Sequence, residues 1–237
     1  MGKRIIQQRR GRGTIRYRVR RQAYKYRIQY PAGQGEAEVL KLLNSSAHTA
    51  PLAKIKIGKE IFFNPAFRGM IEGQKIKVGG DVAEAGNVLF LRDIPTSTEV
   101  FNIEISPGDG GKLIRTGGNS ALLTKKQEGK AAVLLPSKRE MWLDERCKAT
   151  IGRIAGQGRL DKPFVTAGRK FYLMNSKGGR VWPRTSAVKM NVCNHPFGSG
   201  RGKNLSHGTK GKIPKRNAPP GAKVGSLRPR RTGRKKR

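Results

Sequence analysis

Apolar and polar residues alternate with a period of two in short runs between residues 35 and 95. Ala53, Ile55 and Ile57 alternate with lysines, and Ile76 and Val78 repeat the pattern. This period predicts strands with one buried face and one exposed face, here a cationic one. Further strands are predicted at residues 38–43, 61–63 and 88–91. Five short strands punctuated by Gly, Pro and Asn predict a small OB-like barrel.

A second set of strands follows Pro95. Phe101, Ile103 and Ile105 alternate with polar residues, and a hairpin is predicted at 121–124 and 130–135 around a turn at Gln127 to Gly129. Two more strands are predicted at 141–143 and 150–154. No convincing amphipathic helix of twelve residues is present in either region. The pattern predicts an all-β protein with two barrels.

The apolar pattern is weak at both ends of the chain. We therefore predict a basic N-terminal extension (1–34), an OB-like barrel (35–96), a second barrel (97–175) and a basic, Gly/Pro-rich C-terminal extension (176–237). Ordering the backbone of the last segment alone costs on the order of 1–2 kcal/mol per residue. Since it has almost no apolar area to offset this cost, we expect a polyanion to order it.

Charge changes the functional picture. The 237-residue chain has 51 Lys/Arg and 15 Asp/Glu, a net charge of +36. Residues 1–30 hold eleven Lys/Arg and residues 201–237 hold fourteen, with no acid in either segment. Such termini could be solubilising or targeting tags, but long acid-free segments favour binding to nucleic acid. Near the N-terminus, arginines interleave with tyrosines at 17, 24, 26 and 30, which is typical either of RNA contact by phosphate pairing and stacking or of a short amphipathic hairpin.

Other classes of function find little support. No stretch approaches 18 apolar residues, the N-terminus lacks an apolar signal region, and Cys147 and Cys193 form no disulfide framework. We expect a cytoplasmic protein without a membrane partner. Neither Gly111-Lys112 nor Gly202-Lys203 has the spacing of a phosphate-binding loop.

Metal binding and catalysis are also weakly supported. Cys147, Cys193, His195 and His207 are possible metal ligands, but no C-x-x-C pair exists, so we predict no metal site. His195 could act as a general base, yet no nucleophile or orienting carboxylate lies near it in sequence. Contact with RNA is the favoured interpretation, and we predict that the chain is not an enzyme.

Several short sequence motifs resemble those of a known protein family. Residues 191–200 (NVCNHPFGSG) resemble the signature of the universal second protein of the large ribosomal subunit, in its archaeal and eukaryotic form. Similar matches, in the same order as in the family, occur at 50–54 (APLAK), 107–113 (PGDGGKL), 158–163 (GRLDKP), 182–184 (WPR) and 230–234 (RRTGR). Asn194 stands where the family usually has an acid, Val192 where it has a proline, and Ser199 where it has a glycine. A carboxylate partner for His195 is therefore missing at position 194.

The resemblance implies an OB-like barrel, an SH3-like barrel and extensions that bind large-subunit rRNA near the peptidyl-transferase region. It implies roles in subunit assembly, subunit association and tRNA binding, with His195 reaching toward the reaction centre. The expected partners are rRNA and neighbouring ribosomal proteins, a contact with the small subunit is an option that the resemblance leaves open, and no homo-oligomer is expected. No cofactor is expected in the protein itself, although magnesium is expected with the rRNA. A free-standing RNA chaperone or translation factor and an enzyme using His195 are the alternatives.

The residues predicted to bind rRNA are basic or polar and are concentrated in the extensions and matched motifs. They are Arg9, Arg10, Arg12, Arg16, Arg18, Arg20, Arg21, Lys54, Lys112, Arg159, Lys162, Arg184, Asn191, His195, Arg201, Lys203, Lys210, Lys212, Arg230, Arg231 and Arg234.

Overall fold

A computed structural model of the chain describes residues 3–178, 181–195 and 198. It divides into two compact units. The barrel unit is Val19–Gly178, and the terminal unit comprises residues 3–18, 181–195 and 198 within the described part of the chain. The described residues form ten strands and only short helices, so the all-β prediction is confirmed.

The first half of the barrel unit contains the five predicted strands. They are β1 (Gly35–Leu43), β2 (Leu52–Ile57), β3 (Glu60–Pro65), β4 (Lys75–Val78) and β5 (Val88–Phe90). β1 pairs with both β2 and β4 in antiparallel fashion, whereas β4 and β5 are parallel. A register shift between Val39 and Lys41 marks a bulge in β1, which increases local twist.

The second half supplies β6 (Glu99–Phe101), β7 (Ala121–Gln127), β8 (Lys130–Leu134), β9 (Glu140–Asp144) and β10 (Lys148–Ile151). The predicted β7–β8 hairpin is confirmed, with Glu128 and Gly129 both at positive φ in its two-residue turn. The predicted strand through residue 105 is wrong beyond Phe101, because Asn102 has a φ of +48° and leaves the extended conformation. Ile103 makes only an isolated bridge to Leu113.

One sheet contains all ten strands in the order β3-β2-β1-β4-β5-β10-β6-β7-β8-β9. Two apolar clusters lie within it, one around Val39 and Ile55 and one around Leu123 and Val133. The neighbours Val88 and Leu89 belong to different clusters, since successive side chains of a strand point to opposite faces. β5 therefore contributes to both cores, as does β6 through Phe101 and Val100, and the division at residues 96 and 97 stays a prediction.

Helices are short. The described α-helices are α1 (Ile6–Gly11) and α2 (Ala167–Lys177), and 3₁₀ turns occur at Ile15–Tyr17, Arg21–Tyr24, Gln157–Arg159 and Ala187–Lys189. The alternative of an N-terminal hairpin is wrong. α2 was not anticipated from the sequence, and none of its side chains is buried. No helix among the described residues is long and apolar enough to cross a membrane.

Candidate nucleic-acid interface

The outer face of the first strands carries both signs of charge. Across the β1–β4 ladder, Glu36 lies opposite Lys77 and Glu38 opposite Lys75, and Lys75 Nζ is 3.6 Å from Glu36 Oε2. Glu38 also lies opposite Lys56 of β2. Opposite charges on adjacent strands stabilise the sheet and reduce its net charge. The outer face that was predicted to be cationic therefore carries glutamates as well as lysines.

An aromatic and basic cleft lies elsewhere in the barrel unit. It has a volume of about 330 Å³ and is lined by residues that include Tyr24, Tyr26, Arg27, His48 and Lys112. The exposed Tyr24 ring packs edge-on against His48, with ring centroids 5.7 Å apart. Burial, and then the nearby positive charge of Arg115, lower the pKa of His48, so this ring is neutral at neutral pH. Exposed rings beside cations suit contact with RNA.

Tyr30 belongs to a buried polar network instead. Its hydroxyl lies 2.7 Å from both the Asn102 carbonyl oxygen and Thr150 Oγ1. Asn64 Nδ2 donates to Thr150 Oγ1, and Asn102 Nδ2 donates to Asn64 Oδ1. Arg115 Nε completes the network by donating to Asn102 Oδ1 at 2.8 Å. Burial raises the pKa of Tyr30, and the prediction that Tyr30 stacks on RNA is wrong.

Arg115 Nη2 of this network also donates to the carbonyl oxygens of Gly110 and Gly111, in the glycine-rich turn at residues 107–112. The buried Glu104 carboxylate accepts hydrogen bonds from the N–H groups of Gly108, Gly110 and Lys148. Lys112 forms an ion pair with Asp109, with Nζ 3.2 Å from Oδ2. Burial works to raise the pKa of Asp109, but backbone N–H donors of the same turn and Lys112 lower it overall. The turn is held by the protein itself, and Lys112 already has a protein counter-charge.

The terminal unit brings together two segments that are distant in sequence. The Lys3 N–H donates to the Cys193 carbonyl oxygen at 2.6 Å. A cleft of about 530 Å³ lies between the segments. Its lining includes Arg4, Arg9, Arg16 and Tyr17 from the N-terminal segment and Lys189, Asn191 and Asn194 from the other.

The predicted rRNA-binding residues are distributed unevenly. Arg9, Arg16 and Asn191 share the cleft of the terminal unit. Residues exposed in the same unit but outside that lining are Arg10, Arg12, Arg18 and Arg184. In the barrel unit the predicted residues are dispersed: they are Arg20, Arg21, Lys54, Lys112, Arg159 and Lys162. The residues outside the described part of the chain are Arg201, Lys203, Lys210, Lys212, Arg230, Arg231 and Arg234.

His195 lies in a tight turn and is only 4% exposed. Its N–H donates to the Asn191 carbonyl oxygen, and its own carbonyl oxygen accepts from the Gly198 N–H at 2.8 Å. A direct contact between the ring and RNA requires a rearrangement that exposes it, and this role stays a prediction. The neighbouring Asn194, which replaces the family's usual acid, is exposed and lines the cleft.

The two thiols differ in environment. Cys147 is fully buried, and burial, followed by the negative charges of Glu104 and Asp144, raises its pKa to about 11. Cys193 is half-buried in the terminal unit. In residues 3–178, 181–195 and 198, no group of three or more His, Cys, Asp or Glu side chains could hold a metal ion.

Residue patterns alone missed several members of these surfaces. Arg4 and Lys189 line the cleft of the terminal unit, and His48 joins Tyr24 in the barrel unit. Arg115 organises the buried network. The absence of acids near Arg4 and Lys189 was the one sequence signal that could have identified these two residues. His48 and Arg115 could not be identified in this way, because their roles depend on contacts between residues far apart in sequence.

The chain combines a β-barrel body with cationic terminal segments that contain no acids. These features place it in the class of structural nucleic-acid-binding proteins. Residues 84–217 match the family model for the C-terminal domain of ribosomal proteins L2. The chain is 43% identical over 239 residues to large ribosomal subunit protein uL2 of Archaeoglobus fulgidus, covering 98% of this chain and 99% of that relative. It is 42% identical over 243 residues to the uL2 of Hyperthermus butylicus, with all of both chains covered.

The chain belongs to the ribosomal protein L2 family. Members of this family are structural constituents of the ribosome, so the chain is not an enzyme. The expected cytoplasmic location follows from the ribosomal identity of its archaeal relatives.

Proposed function

We propose that the chain is a structural component of the large ribosomal subunit that binds large-subunit rRNA near the peptidyl-transferase region. The observation that carries this proposal is the match along the whole chain to proteins named for the large ribosomal subunit. The acid-free terminal unit supports it, because Lys and Arg without protein counter-charges suit contact with phosphates.

The two units have different tasks in this proposal. The barrel unit makes a few contacts through the Tyr24 and His48 cleft. The terminal unit and the residues after 198 supply most of the positive charge for rRNA. Their binding helps the subunit assemble and supports subunit association and tRNA binding. Magnesium ions accompany the rRNA phosphates, and the reaction centre itself is RNA.

The test is cofractionation with large subunits after a high-salt wash. A tagged full-length chain should remain with the large-subunit peak in a sucrose gradient and be released only when the rRNA is degraded. Recovery in the free protein fraction, with reversible binding to many RNAs, would favour an RNA chaperone or translation factor. Neighbouring ribosomal proteins and any small-subunit contact can be mapped by crosslinking in the same particles.

A further inference from the structure

The cleft of the terminal unit is built from both ends of the chain. The hydrogen bond from the Lys3 N–H to the Cys193 carbonyl oxygen joins the two segments, and Ile5 is buried beside them. The cleft volume of about 530 Å³ is in the usual range for a small-ligand site, roughly 300–1,000 Å³. Neither segment alone supplies the full lining.

The charge of the cleft has one sign. Arg4, Arg9 and Arg16 line it from one segment and Lys189 from the other. No Asp or Glu occurs in residues 3–18 or 181–198. Within the described part of the chain, none of these four cations has an ion pair with a carboxylate. Four adjacent cations without counter-charges attract a polyanion.

The uncharged groups of the cleft point to unpaired bases. Tyr17 contributes an aromatic ring, and Asn191 and Asn194 contribute amides that both donate and accept hydrogen bonds. The Asn194 N–H donates to the Asn191 carbonyl oxygen at 2.9 Å, so one turn holds both amides. In an A-form duplex the bases are stacked inside and their major-groove edges are too deep to reach. A single strand exposes both base faces and base edges.

We propose that this cleft binds a single-stranded segment of RNA, with the four cations on its phosphates, Tyr17 stacked on a base and the two asparagine amides on base edges. The inference rests on the proposed function and specifies the RNA conformation that one site recognises.

The first test compares two RNA ligands with the full-length chain. One is a single-stranded RNA oligonucleotide of about 12 nucleotides, and the other is the same strand in a duplex. Tyr17→Ala should weaken single-strand binding by roughly 5- to 160-fold, as loss of base stacking does, while duplex binding changes by less than about twofold. Tyr17→Phe keeps the ring and should retain the preference for the single strand.

A charge control separates the cleft from general cationic attraction. The double variant Arg10→Ala/Arg12→Ala removes two exposed cations outside the cleft lining. It should weaken binding to both RNAs by similar factors, with a slightly larger loss for the duplex because of its higher charge density. The ratio of the two affinities is therefore the readout, because a loss of net charge alone does not lower the preference for the single strand.

The second test asks whether the two segments form one site. Arg16→Ala and Lys189→Ala should be non-additive for single-strand binding, because residues that share one ligand are coupled. The control pair Arg12→Ala and Arg184→Ala, outside the lining, should be additive.

Two outcomes would overturn the proposed site. One is an equal loss of single-strand and duplex binding in Tyr17→Ala, and the other is additivity of Arg16 with Lys189. In either case, tight binding of the unaltered chain to large-subunit rRNA would leave the proposed function intact. Failure of the unaltered chain to bind that rRNA would instead reject the proposed function itself.

Discussion

The barrel unit and the terminal unit satisfy their charged and polar groups in different ways. The barrel unit holds 27 Lys/Arg and all 15 acids of the chain, whereas the described terminal unit holds nine Lys/Arg and no acid. Within the described residues, no buried side-chain nitrogen or oxygen lacks a hydrogen-bond partner. The barrel unit has two apolar clusters, but few terminal residues, such as Ile5 and His195, are buried.

This contrast indicates where each unit obtains its stability. Burial of apolar side chains and internal hydrogen bonds can stabilise the barrel unit without a partner. The terminal unit brings like charges together and buries little apolar area, so an external anion must supply the missing interactions. RNA binding and folding should therefore respond to different substitutions.

The largest expected effect is that of deleting a basic segment. Removal of residues 1–18 or 201–237 should weaken binding to large-subunit rRNA on the order of 100-fold or more, because each removes at least seven cations. Gradient sedimentation of subunits assembled with each variant should show incomplete particles. The first deletion ends at residue 18 because Ala23, Ile28 and Tyr30 are buried in the barrel unit.

Circular dichroism is the control for these deletions. Each variant should keep one cooperative unfolding transition with the midpoint of the full-length chain. Loss of that transition on removal of either segment would show that the barrel unit needs the terminal segments to fold. It would contradict the inference that the barrel unit is stable by itself.

The next largest effect concerns the barrel unit alone. Gly111 and Gly108 both have a φ of +80°, but a Cβ on Gly111 would lie 2.6 Å from Asn102 Oδ1, whereas one on Gly108 meets nothing within 4 Å. Gly108→Ala should cost about 1–2 kcal/mol of unfolding free energy from backbone conformation. Gly111→Ala should cost about 1–3 kcal/mol more, through the steric clash with the buried network.

Denaturant titration of the two glycine variants measures this difference. Since both introduce the same side chain at the same φ, backbone strain cancels in the comparison. Equal unfolding free energies would contradict the importance of the Asn102 network. Neither variant should alter the salt dependence of rRNA binding, because no charge is removed.

A smaller effect is expected for His195→Gln. A general base contributes ~10²–10⁴-fold, whereas a lost hydrogen bond costs roughly 0.5–1.5 kcal/mol, or about 2- to 13-fold. We expect the smaller range for single-turnover peptide transfer by purified, fully assembled subunits, since Asn194 offers no carboxylate to orient the ring. A loss above about 100-fold in intact particles carrying His195→Gln would reject the contact role.

A separate effect, on stability and not on RNA binding, is expected in alkaline solution. Burial raises the pKa of Cys147 from 9.0 to about 11, so the native state holds a proton that the unfolded chain releases first. The resulting stabilisation is complete below the unfolded pKa and is lost as the pH rises from 9.0 toward about 11. Tyr30 acts in the same direction, because burial also raises its pKa.

Urea titrations at about pH 8 and about pH 10.5 test this dependence. The unfolding free energy should be lower at the higher pH, and Cys147→Ala should reduce the decline. A decline that is unchanged in this variant would exclude Cys147 as a contributor.

Local pattern predicted most of the barrel unit. The alternation at Ile55 and Ile57 and the turn at Glu128 and Gly129 gave the correct strands, because both signals arise from neighbouring residues. The alternation failed at Ile103, where the left-handed conformation of Asn102 ends β6. That conformation accompanies hydrogen bonds to Asn64 and Arg115, which no local pattern reveals.

The candidate interface was predicted less completely. The absence of acids identified the basic segments, and composition is enough for that. It did not reveal that Arg16 and Lys189 line one cleft, or that Tyr30 is in the core while Tyr24 is exposed. These four residues all lie in acid-free segments of basic and aromatic composition. Only contacts between residues far apart in sequence determine which of them line the cleft, which is buried and which is exposed.

The salt dependence of rRNA binding tests most directly whether the terminal segments carry the RNA contacts. For about ten phosphate contacts, the log–log slope of affinity against salt should be of order −7 to −9 for the full-length chain. The fragment Val19–Gly178 should show less than half that slope, because it lacks residues 1–18 and 179–237, which hold 24 of the 51 Lys/Arg and no acid. A slope near −1 for the full-length chain, or equal slopes for both proteins, would contradict the account.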